Sequence, residues 1–380
     1  AVTACFDRLS TLLLPAALAC GMASPRAEPG EFVIGQVVSR AAGLADIGRE
    51  IALGAAACVQ AVNAGGGVHG RPLRLVLADD GGAPAAALAR ARELLDREQI
   101  VALLTPMGRS ANGQVLPWAA GEGLPVVAPY GAGALAAQAA ALSSSFFLRT
   151  HASVEALRLT TQMQTVGIDR VAVLYSDDEL GRETLAAFEE AIASTGKAAL
   201  ALVPLRGLDV APAIRALAQA APQAVLLATA GEQTQAVLLA LEPLAREGRR
   251  IVPYALSSAV SQQQLRALGP SARWLVVSQV VPSPRAEAMP VVKAYRAALR
   301  AAGDGPVSYP GLEGCVAVLT LAQALRKSNE PPSRAGVLKA LRHAGTVDLG
   351  GWSVDLADRQ RPGSRFTDIT LIGADGDWVR

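Results

Sequence analysis

The residues best equipped for chemistry are few and scattered. The three histidines, His69, His151 and His343, do not cluster. His69 falls in a turn, and His343 falls near a helix end, where contact with the helix dipole accounts for it. No GxxxxGK[ST], GxSxG or HExxH pattern occurs. Asp177-Asp178-Glu179 follows an expected strand and precedes Gly181. Paired carboxylates could bind a cation or exchange protons, but capping of the next helix with acids in its first turn is the simpler use. Gly131-Ala132-Gly133-Ala134-Leu135-Ala136 fits the dinucleotide pattern. It follows about the fourth strand, however, and no acidic residue closes a second strand ~20 residues on. The cysteines, Cys5, Cys20, Cys58 and Cys315, form no CxxC, so neither a zinc site nor a redox motif is expected. Cys58 and Cys315 read as small buried core residues. No nucleophile is paired with a base, and no enzyme activity, cofactor or metal is expected.

The elements that would position any site alternate. The stretch 61–80, AVNAGGGVHGRPLRLVLADD, ends a helix at three glycines and delivers the chain onto an alternating strand, the repeating joint of an α/β fold. Strands are expected at Phe32–Val38, 73–77, 100–104 and 125–128, with helices at 47–63, 84–97 and up to 122 between them. At Phe146-Phe147-Leu148-Arg149 the chain crosses into a second series. Its strands are expected at 171–175, 199–204, 224–229, 251–254 and 274–280, and its helices at 153–166, 180–194, 210–220 and 232–246. Helices return at 286–302, 311–327 and 333–343, and the tail (346–352, 366–372) reads as strands. Strands alternating with helices imply parallel sheets with right-handed crossovers, here two doubly wound lobes. The loops at strand C-termini are where such sheets bind ligands.

The chain has 380 residues and net charge +2; 51% of it is apolar and 4% aromatic. That length suits two domains of roughly 150 residues each. No basic surface for nucleic acid is evident. Arg8 precedes an apolar run, Leu9 to Ala19, of the length of an export signal's core and too short to span a membrane. Ala17-Leu18-Ala19-Cys20 resembles a lipoprotein cleavage box in which Cys20 would be lipidated; cleavage near Ala23 is the competing reading.

Several segments together resemble the branched-chain amino-acid type of periplasmic substrate-binding proteins of ABC transporters, the type I periplasmic-binding-protein fold. They are FVIGQVVS (32–39), GREIALGAAACVQAVNAGGGVHGRPLRLVLADD (48–80), GEGLPVVAPYGAG (121–133), FFLRTHASVE (146–155), DRVAVLYSDDELGRETLAAFEEAI (169–192) and SYPGLEGCVAVLTLAQAL (308–325). The resemblance implies residues 1–27 as signal peptide, 28–147 with 280–345 as one lobe, and 148–279 with 346–380 as the other, with hinge closure over a small solute. It implies delivery to a membrane permease, a periplasmic location and a monomer. A ligand-sensing module of the same fold is the alternative. By position, the ligand contacts implied are Arg109, Ser110, Tyr130, Gly131, Ala132, Leu180, Ala230, Leu256, Ser257 and Tyr309. The chain departs from the family pattern at Leu256-Ser257-Ser258, where an acidic partner for a ligand ammonium is expected, and at Ile47 and Leu180, where aromatic rings are expected. A buried ammonium without a counter-charge is costly. These departures point to an organic acid lacking an α-ammonium, with Arg109 as its charged partner or else as a surface arginine at the cleft rim.

Overall fold

The computed structural model describes residues 30–39, 44–138, 142–358 and 361–379; the expected export segment, with Cys5 and Cys20, lies outside them. The first series runs β1 (Phe32–Val38), α1 (Ala45–Ala64), β2 (Leu73–Asp79), α2 (Pro84–Glu98), β3 (Ala102–Leu104), α3 (Arg109–Gly121), β4 (Val126–Val127) and β5 (Ser145–Phe146). These strands form one parallel sheet in the order β2-β1-β3-β4-β5. All seven residues of β1 are buried, as expected for a strand with helices on both faces.

The second series runs α4 (Ala152–Thr165), β6 (Val171–Ser176), α5 (Glu179–Ala193), β7 (Ala201–Leu205), α6 (Ala211–Ala220), β8 (Ala224–Ala228), α7 (Glu232–Arg246), β9 (Val252–Ala255), α8 (Gln262–Leu268) and β10 (Val276–Gln279). The chain closes with α9 (Pro290–Ala301), α10 (Tyr309–Arg326), α11 (Arg334–His343), β11 (Thr346–Asp348), β12 (Ser353–Asp355), β13 (Asp368–Ile372) and β14 (Trp378–Val379). The second sheet has the order β14-β13-β10-β9-β8-β6-β7. Strands β6 to β10 are parallel, but β13 and β14 extend one edge antiparallel. The tail strands therefore do not follow the parallel pattern of the rest.

Helices α9, α10 and α11 return to the first sheet and share one core with β1 and α1. Val347, Trp352, Val354 and Leu356 sit in that core too, so the β11–β12 hairpin packs with the first lobe's helices. Only β13 and β14 of the expected 346–380 segment join the second sheet. Helices α1 and α10 meet at glycine contact: a Cβ on Gly54 would stand 1.8 Å from the Gly311 carbonyl oxygen, and one on Gly314 2.1 Å from that of Ile51. At this approach Cys58 and Cys315 are buried, as expected, but they are joined in a disulfide with Cα atoms 5.3 Å apart. They are a covalent link and not free core thiols. Among the described residues no helix is long and apolar enough to cross a membrane.

Candidate functional site

The first lobe presents two strand-end loops. At the ends of β3 and β4 the backbone turns through Thr105 (φ 43°) and Ala128 (φ 56°), positive angles that non-glycine residues adopt at some cost and that concentrate at functional loops. Buried Asn112 stitches the loops together, its Nδ2 donating to the carbonyls of Pro106 (3.0 Å) and Tyr130 (2.9 Å). The backbone adds Gly108 N–H to Tyr130 O (3.0 Å) and Tyr130 N–H to Pro106 O (2.9 Å). This fixes the N-terminus of α3 beside Tyr130 and Gly131.

The second lobe answers with α5. Asp178 caps it by accepting from Gly181 N–H at 2.8 Å and from Ser176 Oγ at 3.0 Å. The capping use of the Asp177-Asp178-Glu179 run is therefore the one found. Gly181 lets the helix start hard against β6, since a Cβ there would lie 2.1 Å from the Ser176 carbonyl oxygen. That approach places Leu180 toward the first lobe.

Between the lobes lies a cavity of about 290 Å³ walled by Tyr130, Gly131, Arg149, Thr150, Leu180 and Leu256, near the small end of ligand-site volumes. Its floor is an ion cluster on the crossover from β5 to α4. Arg149 donates to both Glu313 oxygens (3.3 and 3.1 Å), to Glu155 Oε1 (3.3 Å) and to Ser257 Oγ. Its guanidinium also lies 4.6 Å from the centre of the Tyr130 ring, a cation–π geometry. Glu155 accepts in turn from Ser257 N–H (3.0 Å), Ser257 Oγ (2.6 Å) and Ser278 Oγ (2.7 Å). Burial alone would lower the Arg149 pKa, but Glu313, Tyr130 and Glu155 outweigh it and hold the guanidinium above its ordinary value. Burial lifts the Glu313 carboxyl above the usual carboxylate range against the pull of Arg149, and pushes the Tyr130 phenol up. Burial lowers His151.

The mouth, lined by Arg109, Ser110, Tyr130, Gly131, Glu179 and Leu180, carries a second cluster. Arg109 of α3 pairs across the gap with Glu179 (3.0 Å) and Glu183 (2.7 Å) of α5, and Ser110 Oγ donates to Glu179. The hydrogen bond to Glu183 dominates in raising the Arg109 pKa.

Of the residues expected at the site, Arg109, Ser110, Tyr130, Gly131, Leu180 and Leu256 therefore line the mouth or the cavity. The other four stand elsewhere. Ala132 is buried in the core behind its loop. Ser257 lies under the wall on Glu155. Ala230 lines an adjoining recess with Leu180 and Gln233. Tyr309 is buried at the start of α10, with its ring edge-on to Trp378 at 5.0 Å between centres. Arg149, Thr150, Glu155, Glu183 and Glu313 were not foreseen as site residues. The only sequence signal for Arg149 was its position in the crossover segment. Possible lipidation of Cys20 lies outside the described residues. Among the described residues no group of histidine, cysteine, aspartate and glutamate is placed to hold a metal.

Two parallel-sheet lobes with strand-end loops facing one cavity define a two-lobed solute receptor. The chain belongs to the periplasmic binding protein family, whose pattern matches residues 31–368, and an extracytoplasmic location goes with that family. No curated protein matches the sequence. Among solved structures, a substrate-binding periplasmic protein from Ralstonia solanacearum is 27% identical, with a TM-score of 0.82 over 92% of this chain and 99% of that one. A possible leucine/isoleucine/valine-binding protein from Rhodopirellula baltica is 22% identical, with a TM-score of 0.83 over 94% and 98%. An ABC-transporter solute-binding protein from R. palustris in complex with benzoate is 17% identical, with a TM-score of 0.79 over 92% and 95%. At their lower identities the last two bear on the fold alone.

Proposed function

We propose that this chain captures a small organic acid between its lobes outside the cytoplasm and delivers it to the membrane permease of an ABC transporter, without catalysing a reaction. One lobe comprises 28–147 and 280–345. The other comprises 148–279 and 346–380, less the β11–β12 hairpin, which packs with the first. The observation that carries the reading is the meeting of Arg109 from one lobe with Glu179 and Glu183 from the other at the mouth of a cavity that both lobes line.

Arg109 is not a free cation waiting for an anion; its role as ligand partner requires an exchange. Glu179 is 55% exposed at its side chain, and exposed ion pairs contribute only about 0–1 kcal/mol. An incoming carboxylate replaces Glu179 on Arg109 at small cost, beside the N–H groups at the start of α3. An α-ammonium finds no free carboxylate at the floor. The floor carboxylates Glu155 and Glu313 are held by Arg149, and Leu256 stands in the wall. The benzoate complex of the R. palustris protein supports a carboxylate as a ligand this fold accepts.

Isothermal titration of the purified chain against benzoate, short aliphatic acids, leucine and valine tests the reading. Binding of at least one acid that is lost in Arg109→Ala is expected. Micromolar leucine binding with every acid silent ends it.

A further inference from the structure

Tyr130, Gly131, Leu180 and Ser258 line both the mouth and the cavity behind it, so they form a waist between two adjoining chambers. Arg109 lines only the mouth, and His151 lines only the inner chamber. Much of the inner wall is apolar, with Pro129, Phe147, Ala187 and Leu256 in it. His151 is half-buried and precedes α4, but its side chain does not cap that helix. Its Nδ1 lies beside Gly133 of the first lobe, 3.4 Å from the place a Cβ on that glycine would take. The Gly133 backbone is the hydrogen-bonding influence on the ring. Nε2 differs: among the described residues it has no hydrogen-bond partner, and it is not closed to solvent. Burial lowers the His151 pKa, with Gly133 opposing, so the ring is neutral near pH 7. A proton on Nδ1, toward Gly133, leaves Nε2 as a lone-pair acceptor.

The surroundings decide what would complete that acceptor. A hydrocarbon end drawn into the chamber would strip water from Nε2 and return nothing. A second carboxylate would bring an acceptor to an acceptor, in a lining that already holds Glu155, Glu183 and Glu190. An ammonium would need a counter-charge. Glu155 and Glu183 are held by Arg149 and Arg109, and Glu190 is exposed, where an ion pair is weak. A neutral hydroxyl donates its proton to Nε2 and strands no charge.

We propose that His151 is a specificity-determining residue of the cleft: its Nε2 accepts from a hydroxyl at the end of the ligand away from Arg109, so the solute is a hydroxy acid and not a plain alkanoic or aromatic acid. This rests on the reading that an acid's carboxylate occupies Arg109. The two residues then read the two ends of one ligand from the two chambers, and the apolar wall between them takes its body.

The test titrates the full chain calorimetrically with 4-hydroxybutanoate, 6-hydroxyhexanoate and 4-hydroxybenzoate, each beside the acid that carries methyl in place of hydroxyl (pentanoate, heptanoate and 4-methylbenzoate), and with 6-aminohexanoate. At least one hydroxy acid should bind about tenfold or more tightly than its methyl counterpart. That ratio should shrink to about twofold or less in His151→Phe. Most of it should return in His151→Gln, whose amide oxygen can accept in place of Nε2. The ratio is taken within one variant, so a general loosening of the cleft does not move it. The chain has three histidines, and the imidazole signal missing from His151→Gln spectra should shift in the wild type as the hydroxy acid saturates, with the other two still. A ratio near one in the wild type, a ratio unchanged in His151→Phe, an unmoved His151 signal at saturation, or tighter binding of 6-aminohexanoate overturns the proposal. Acids bound without preference for the hydroxyl sink this assignment alone; silence of every acid sinks the acid reading with it.

Discussion

The two ion clusters of the cleft use the same parts in different surroundings. At the mouth, Arg109 meets two glutamates while 32% of its side chain is exposed. At the floor, Arg149 meets two glutamates with its exposure cut to 17% and Glu155 at 3%. Burial decides what each can do. Exposed pairs are weak and exchangeable, which suits a gate. A buried pair repays its desolvation only through good geometry, but removing one partner strands the other charge, a loss of about 3–5 kcal/mol. The floor is thus a fixed structural cluster, and the mouth holds the exchangeable one.

Four experiments press on that contrast. Arg149→Ala should cost the most, roughly 3–5 kcal/mol by urea unfolding, since Glu155 and Glu313 lose their counter-charge; a loss under about 1 kcal/mol would erase the distinction. Arg109→Ala should leave stability within about 1 kcal/mol while weakening the acid ligand by about tenfold or more. Unfolding followed beside titration separates these two readouts.

The pH response sharpens the floor. The folded-state pKa of Glu313 is raised, with burial the leading cause. Its contribution to stability is therefore full below the unfolded carboxylate pKa and is lost as pH rises through the folded value. Thermal melts of wild type and Glu313→Gln should show the wild type losing ground to the variant as the solution goes from acid to neutral; parallel melts at every pH would remove the burial argument. The smallest effect is expected from Glu179→Gln, which takes away one of the two competitors on Arg109 and leaves Glu183 in place; it should tighten acid binding by about two- to threefold, with stability unchanged.

What the chain disclosed in advance was what its neighbours in sequence determine. Alternation and glycine punctuation placed β1 and α7 to the residue, and Asp178 could be read as a cap because its partner is only three positions away. Short elements carry weaker signals: the apolar pattern over 262–268 predicts no helix, although Ser261 and Gln264 form a full capping box for α8, and β14 is two residues long. Long-range partners escaped for a different reason. Nothing local links Arg149 to Glu313 or Cys58 to Cys315; those pairs exist only because α10 returns across the first lobe. Arg109 shows the same limit within one residue: its position at a strand-end loop was legible, but the two glutamates that occupy it come from the opposite lobe.

The bond between Cys58 and Cys315 joins positions 257 apart. In chain-entropy terms a ring of that size is worth on the order of 5 kcal/mol to the folded state. Its consequence is also one of timing. The bond waits until residue 315 has reached an oxidising space, so the part of the second lobe from α4 to β10 precedes the sealing of the first. Thereafter the stretch from α4 to β10 hangs as a loop within a covalent ring and can loosen without α1 and α10 coming apart.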